Sequence, residues 1–199
     1  MRLLVVTAVA AERGAILDAA PDMEVLVAGI GPAAAAAATS ATLASDAFDV
    51  VISAGIAGGF DVPLGAAVVA SRIVHADLGI KTSDGFEPIG STSLDVPREL
   101  TQDLAARTGA LTGAVLTVST VTGTAASAAE LRVRYPDAVA EAMEGFGVAV
   151  AAARHRVAFA EVRTISNRVG PRDRESWQIP KALGALTEAF VAIMKEPLC

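Results

Sequence analysis

Glu141-Ala142-Met143-Glu144-Gly145-Phe146-Gly147 is the stretch on which the fold turns. An apolar segment, Ala138 to Met143, runs into a carboxylate, and glycines then lead into a second apolar run, Val148 to Ala153. A strand that ends in an acid and passes at once into a helix puts Glu144 at a strand's carboxyl end. Ligands in open α/β sheets gather at that edge. A helix N-terminus favours negative charge there. An ionised carboxylate accepts through two oxygens, so it can hold two neighbouring hydroxyls such as a ribose 2′,3′-diol. The plainer alternative is a helix-capping or first-turn acid, which such local signals usually mark.

Working outward, strands alternate with helices. Leu3 to Val6 is a continuous apolar run, the mark of a strand covered on both faces. Ala10 to Ala20 has helical spacing and holds Glu12. Glu24 to Ala28 is a second strand, and Gly29-Ile30-Gly31-Pro32 turns the chain, with Pro32 suited to a first helical position. Ala33 to Ala44 is a small-residue helix, Val50 to Ser53 a strand, Gly55 to Gly59 a second glycine-rich turn, and Ala66 to Val74 a long strand. Ala76 to Pro97 shows no period and reads as an irregular loop, functional or subunit-facing. Helix Arg98 to Thr108, strand Ala114 to Val118, a hydroxyl-rich segment Ser119 to Ala125 and helix Ala126 to Arg134 precede the central stretch. Val148 to His155 is helix and Phe159 to Ile165 strand. Ser166 to Ser176 is a charged loop, and Ile179 to Met194 a closing helix. The pattern predicts one α/β domain over residues 1–199, a three-layer sandwich with a mainly parallel mixed central sheet.

The 199 residues suffice for a substantial core. Hydrophobic residues reach 53% and charged ones only 19%, so a partner subunit covering apolar surface, a homo-oligomer, is expected. The net charge of −6 argues against a nucleic-acid partner, which would require a basic face. The single cysteine, Cys199, forms no internal disulfide and fits a reducing compartment. Arg2 followed by Leu3 to Ala10 mimics a secretory leader, but its apolar core is shorter than the ~7 residues required. No run approaches the ~20 apolar residues of a membrane span. A cytoplasmic protein without membrane association is expected.

Several constellations fit poorly. Gly29-Ile30-Gly31-Pro32-Ala33-Ala34 matches a dinucleotide fingerprint, yet Pro32 lacks the N–H that would meet a pyrophosphate, and Asp46 and Asp49 precede the next strand instead of ending it. A packing turn fits better. His75 and His155 lack partners at metal-ligand spacing, so no metal is expected, and no elbow motif supports a Ser-His-Asp triad. His75 with Asp77 reads as an exposed loop pair, and Arg168, Arg172 and Arg174 read as a solvated loop or a clamp on a substrate anion. There remain polar groups just past strand ends: Glu12, Ser53, Thr122, Glu144, and Asn167 with Arg163 before it. Glu12, so near an apolar strand, would be partly desolvated and suited to take a proton from water; an ordinary first-turn acid is the alternative.

These pieces together resemble the purine nucleoside phosphorylase/nucleosidase superfamily from end to end. The matching segments surround Glu12 and include Ala28 to Gly31, Gly55 to Gly59, Tyr135-Pro136, Met143-Glu144-Gly145 and Arg163-Thr164-Ile165-Ser166-Asn167. Each is short; their order and spacing carry the match. The tail from Ile165 to Arg174, with Trp177, narrows it to a hydrolytic branch acting on a 6-oxopurine nucleoside. The resemblance implies that Glu12 activates water, that Met143 and Glu144 hold the ribose with Arg163 in support, that the Val121-Thr122-Gly123 turn lines the purine, and that Trp177 lies near the 5′ substituent. No cofactor is implied. Two departures discriminate within the family. Phosphorylases hold phosphate with an Arg and a Ser where this chain has Ser53 and Ile56, and adenine-specific nucleosidases carry Asp where it has Asn167. An amide can donate to O6 of hypoxanthine and accept from a protonated N7 but cannot deliver a proton; flipped, it could also pair with adenine. A methylthioadenosine/S-adenosylhomocysteine or inosine nucleosidase is the nearest alternative. Outside the class stand a nucleoside-binding module without catalysis and a cofactor-dependent oxidoreductase.

Overall fold

The computed structural model describes residues 1–198; Cys199, on which the reducing-compartment expectation rests, lies outside the described residues. In chain order the elements are β1 (Leu3–Thr7), α1 (Ala10–Ala19), β2 (Glu24–Val27), α2 (Pro32–Ser45), β3 (Val50–Gly59), β4 (Ala67–His75), β5 (Gly79–Thr82), β6 (Gly85–Pro88), β7 (Ser93–Asp95), α3 (Arg98–Thr108), β8 (Leu111–Thr117), α4 (Ala125–Arg134), β9 (Ala138–Ala142), α5 (Gly145–His155), β10 (Ala158–Arg168) and α6 (Ile179–Ile193). A single 3-10 turn, Arg174–Ser176, precedes α6.

The apolar run in β1 is buried because β1 is internal: it pairs in parallel with β2 on one side and β3 on the other. The sheet order is β10-β4-β8-β9-β3-β1-β2, and β10 pairs β3 as well, so five strands close into a ring. Pairings β3–β10, β4–β8 and β8–β9 are parallel, while β4–β10, β3–β9 and β4–β7 are antiparallel. The result is a mixed, mainly parallel central sheet with helices around it, as the alternation predicts. The ring closure was not legible, since it depends on β9 meeting β3 over only Gly58–Glu141 and Gly59–Ala140.

Four expectations are corrected. Gly55 to Gly59 is no turn but the second half of β3, which pairs β10 along its whole length. Its glycines make room for neighbours: a Cβ on Gly59 would stand 2.8 Å from Ile165 Cγ2, and one on Gly58 2.9 Å from Val169 Cγ2. Ala76 to Pro97 is not irregular but holds the β5–β6 hairpin and β7, strands too short to show a period. β10 runs on to Arg168, so Asn167 lies on a strand. Helix α5 likewise begins at Gly145, before the apolar run. A side chain on Gly147 would collide with the Pro32 carbonyl, so α5 packs directly onto α2.

Candidate active site

Glu12 sits in the first turn of α1 and is 3% exposed. Its Oε2 accepts from the N–H groups of Ala8 (3.0 Å) and Val9 (3.2 Å), the local contact of an ordinary first-turn acid. Its Oε1 accepts from the Ile56 N–H of β3 at 2.9 Å. That tertiary bond is what separates it from a plain capping residue. All three donors point at the carboxylate, which is therefore held as an acceptor.

Glu144 occupies the N-cap of α5, yet its side chain makes no capping bond. Its charge is met from below and across. Oε2 accepts from Arg163 Nη2 at 3.2 Å, and Oε1 from the Gly31 N–H at 3.3 Å. The Gly29–Pro32 turn thus aims a donor at a carboxylate.

Arg163 on β10 is 1% exposed and does not line the cleft. It donates through Nη2 to Ser53 Oγ (3.1 Å) and through Nε to Glu161 Oε1 (2.9 Å). Burial works against its charge, but Glu161, Glu144 and Glu12 outweigh that and hold the guanidinium above its ordinary value. Glu161, fully buried, is pushed the other way: desolvation raises its carboxyl above the ordinary 4.5, against the pull of Arg163. Its Oε2 has no hydrogen-bond partner among the described residues. Gly145 and Gly55 are glycines for this reason. A Cβ at Gly145 would strike the Glu161 carboxylate, and one at Gly55 would lie between Glu12 and Arg163.

Above this charged base opens a cleft of about 300 Å³. Eight of the nine residues singled out in the sequence line it: Glu12, Ile56, Val121, Thr122, Met143, Glu144, Asn167 and Trp177. Arg163, the ninth, lies beneath. Asn167 follows a register shift in β10, with Oδ1 2.8 Å from Ser166 Oγ and Nδ2 donating to the Arg168 carbonyl at 3.0 Å. Ser53 is buried under Arg163 and outside the cleft. Arg172 stands 5.8 Å over the Trp177 ring, tying the basic cluster to the cleft wall. Asp173 is exposed and accepts from the Glu175 N–H at 3.2 Å. His75 and Asp77 pair at 3.3 Å, but not as an exposed loop pair: His75 ends β4 with its ring against Phe146, and Asp77 also accepts from the Ser119 and Thr120 N–H groups.

One cleft residue went unrecognised. Glu141, only three positions before Glu144, is 6% exposed and accepts from the Thr122 N–H (2.9 Å) and hydroxyl (2.5 Å). Its signal was a carboxylate inside an apolar strand. A larger groove of about 800 Å³ between the β5–β6 hairpin and α4 holds none of the predicted residues. Among the described residues no group of three His, Cys, Asp or Glu could hold a metal ion, and no helix is long and apolar enough to cross a membrane.

Paired cleft carboxylates over a buried arginine, on this mixed α/β sheet, define a class, and the model of the Phosphorylase superfamily matches residues 12–196: the chain belongs to that superfamily. Within it, the chain is 51% identical to futalosine hydrolase of Streptomyces coelicolor, over 95% of this chain and 93% of that protein. It is 47% identical to futalosine hydrolase of Acidothermus cellulolyticus, over 97% and 90%. The fold also matches the methylthioadenosine/S-adenosylhomocysteine nucleosidase of Neisseria meningitidis, solved with methylthio-immucillin-A, with TM-score 0.85, 21% identity and 98% coverage of both chains. A futalosine hydrolase mutant of Helicobacter pylori superposes with TM-score 0.86 at 17% identity, covering 99% of this chain and 100% of that one.

Proposed function

We propose that this protein hydrolyses the N-glycosidic bond of futalosine, releasing hypoxanthine and dehypoxanthine futalosine for menaquinone biosynthesis. The observation that carries this is the meeting of Glu12 and Glu144 in one cleft over Arg163, in a chain about half identical to futalosine hydrolases along its length. Bond breaking runs ahead of attack, through an oxocarbenium-like ribosyl cation of the kind glycosidases form. Glu144, braced by Arg163, holds the 2′,3′-diol and offsets the developing positive charge. Met143 packs against the sugar. Glu12 takes the proton from the water whose oxygen bonds to C1′, while the base departs with the electrons of the broken bond and takes a proton from solvent, to which Glu12 then returns its own. Asn167 hydrogen-bonds the departing base beside the Val121–Thr122 turn.

Water is favoured over phosphate as nucleophile. The Ile56 side chain offers phosphate no donor, its N–H is committed to Glu12, and the Ser53 hydroxyl is sealed under Arg163. The Arg172 guanidinium 5.8 Å over the Trp177 ring at the cleft wall supports a role for this pair toward the aryl carboxylate beyond C5′. The enzyme acts as a single-domain homo-oligomer in the cytoplasm, without cofactor, nucleic-acid or membrane partner. The deciding experiment incubates the enzyme with futalosine, its 6-amino analogue, inosine and methylthioadenosine, with and without phosphate, and identifies base and sugar. Hypoxanthine and a free, unphosphorylated sugar from futalosine are expected. A ribosyl phosphate product, or faster release of adenine from methylthioadenosine, would overturn the proposal.

A further inference from the structure

Gly58 of β3 lies in the cleft, and the residues paired with it on the two flanking strands are Glu141 of β9 and Asn167 of β10. Adjacent strands stand about 4.8 Å apart, so these two Cα atoms face each other across roughly 10 Å and a residue with no side chain. The space over Gly58 suits a flat bicyclic base with one polar group at each end. A Cβ there would also press on Asn167, 3.3 Å from its Nδ2. Thr122 fixes the Glu141 carboxylate by two bonds, one to each oxygen, and each oxygen keeps a further accepting direction. In the same stroke the Thr122 N–H is consumed.

We propose that Glu141 is the specificity-determining residue of this cleft, accepting the N1–H of a 6-oxopurine while Asn167 meets the O6 and N7 edge. This rests on the nucleosidase assignment of the cleft. A 6-oxopurine presents a donor at N1; a 6-aminopurine presents a bare acceptor there, which an ionised carboxylate repels. Asn167 alone is a weak discriminator, because an amide carries both a donor and an acceptor and, turned at the cost of its bond to the Arg168 carbonyl, suits the other base. Glu141 has no such freedom while ionised.

Protonated, Glu141 would donate to the bare N1 of a 6-aminopurine, so the preference should depend on pH. Burial raises its carboxyl above the ordinary 4.5; the Thr122 bonds oppose the rise and Asp77 adds to it. The other charged groups nearby are His75, paired with Asp77, and Glu12 and Glu144 with Arg163 beneath them.

The test measures kcat/KM of wild type and Glu141→Gln for futalosine and its 6-amino analogue from acid to neutral pH. Calorimetric binding of free hypoxanthine and adenine is measured alongside. Wild type should favour the 6-oxo form increasingly as pH rises above 4.5, the direction in which Glu141 loses its proton. Glu141→Gln should lower that preference by about 10- to 100-fold, the range for a hydrogen bond to a charged group, and flatten its pH dependence. A folded variant with unchanged preference and pH profile would overturn the inference and leave the proposed activity standing. Failure to cleave futalosine, with hypoxanthine still bound in a Glu141-dependent way, would do the reverse. If the variant does not fold, the wild-type binding series decides: a hypoxanthine preference that weakens toward acid supports the role, and a pH-independent one refutes it.

Discussion

Gly55→Ala tests the geometry of the site without removing any of its functional groups. Gly55 lies in β3 with no positive φ, so the backbone accepts alanine without strain. The added Cβ would run into Glu12 Oε1 and stand 2.7 Å from Glu12 Cδ and 2.8 Å from Arg163 Nη1, where ordinary contact begins at 3.4 Å. Subtracting 2.7 from 3.4 gives 0.7 Å for the carboxyl carbon to recede, and Oε1, nearer still, must move farther. Arg163, pinned by Ser53, Glu161 and Glu144, has less room to yield. If Glu12 withdraws by at least that amount, the 2.9 Å bond from Ile56 to Oε1 stretches past about 3.6 Å and is lost. The bonds from Ala8 and Val9 lie within its own helix turn and can follow it. A reacting group displaced by about 1 Å can cost ~10²-fold, so kcat for futalosine should fall about 10- to 100-fold, or roughly 1.4–2.7 kcal/mol of barrier. Base release is assayed spectrophotometrically, with circular dichroism and thermal melting to establish folding. A folded Gly55→Ala enzyme turning over within about threefold of wild type would refute the placement of Glu12 as the water-activating base.

Glu12→Gln, nearly isosteric, should lower kcat about 10²–10⁴-fold, and near-normal turnover would remove Glu12 from the mechanism; its melting temperature should also fall, because the amide NH2 must face a backbone N–H that the carboxylate now accepts. Arg172→Ala with Arg174→Ala should raise KM for futalosine but not for inosine, which lacks the aryl carboxylate; an unchanged KM for both would detach the cluster from the substrate. Glu161, whose carboxyl is raised by burial, favours the folded state most when protonated, so its contribution is full below the ordinary 4.5 and is lost as pH rises through its folded value. Denaturant titrations of wild type and Glu161→Gln across that range should therefore show wild type losing stability relative to the variant as pH rises. A constant difference between the two would contradict the sign.

The sequence reveals most of the fold because its strands are short apolar runs and its helices are punctuated by glycine and proline. The errors share a cause. Glycine is read as a turn signal, whereas in β3 each glycine yields space to a neighbour on another element: Glu12 and Arg163 at Gly55, Asn167 and Val169 at Gly58, Ile165 at Gly59. That information is tertiary and leaves no local trace. The carboxylates show the same divide. Glu12 and Glu144 stand beside strand ends, where position alone suggests chemistry. Glu141 and Glu161 lie inside strands, and only the packing shows that one faces the cleft and the other faces Arg163.

The array explains why so many acids are gathered around one arginine. If Glu12, Glu144 and Glu161 were all ionised, Arg163 would neutralise only one of them. Burial resolves part of the excess by pushing Glu161 toward its protonated form, and the wholly enclosed position has no water to solvate a charge. Glu144 is then the ionic partner of Arg163, oriented but still able to accept from a diol. Glu12 has no cation in hydrogen-bonding contact; three backbone dipoles hold it instead. The cleft floor is thus electrically near balance where the ribose hydroxyls would bind and negative where water would attack. A neutral nucleoside gains little from that surplus. A ribosyl cation would gain more, because its positive charge would develop beside that carboxylate at the cleft floor. On the proposed mechanism, the surplus carboxylate would act on the transition state and not on ground-state binding.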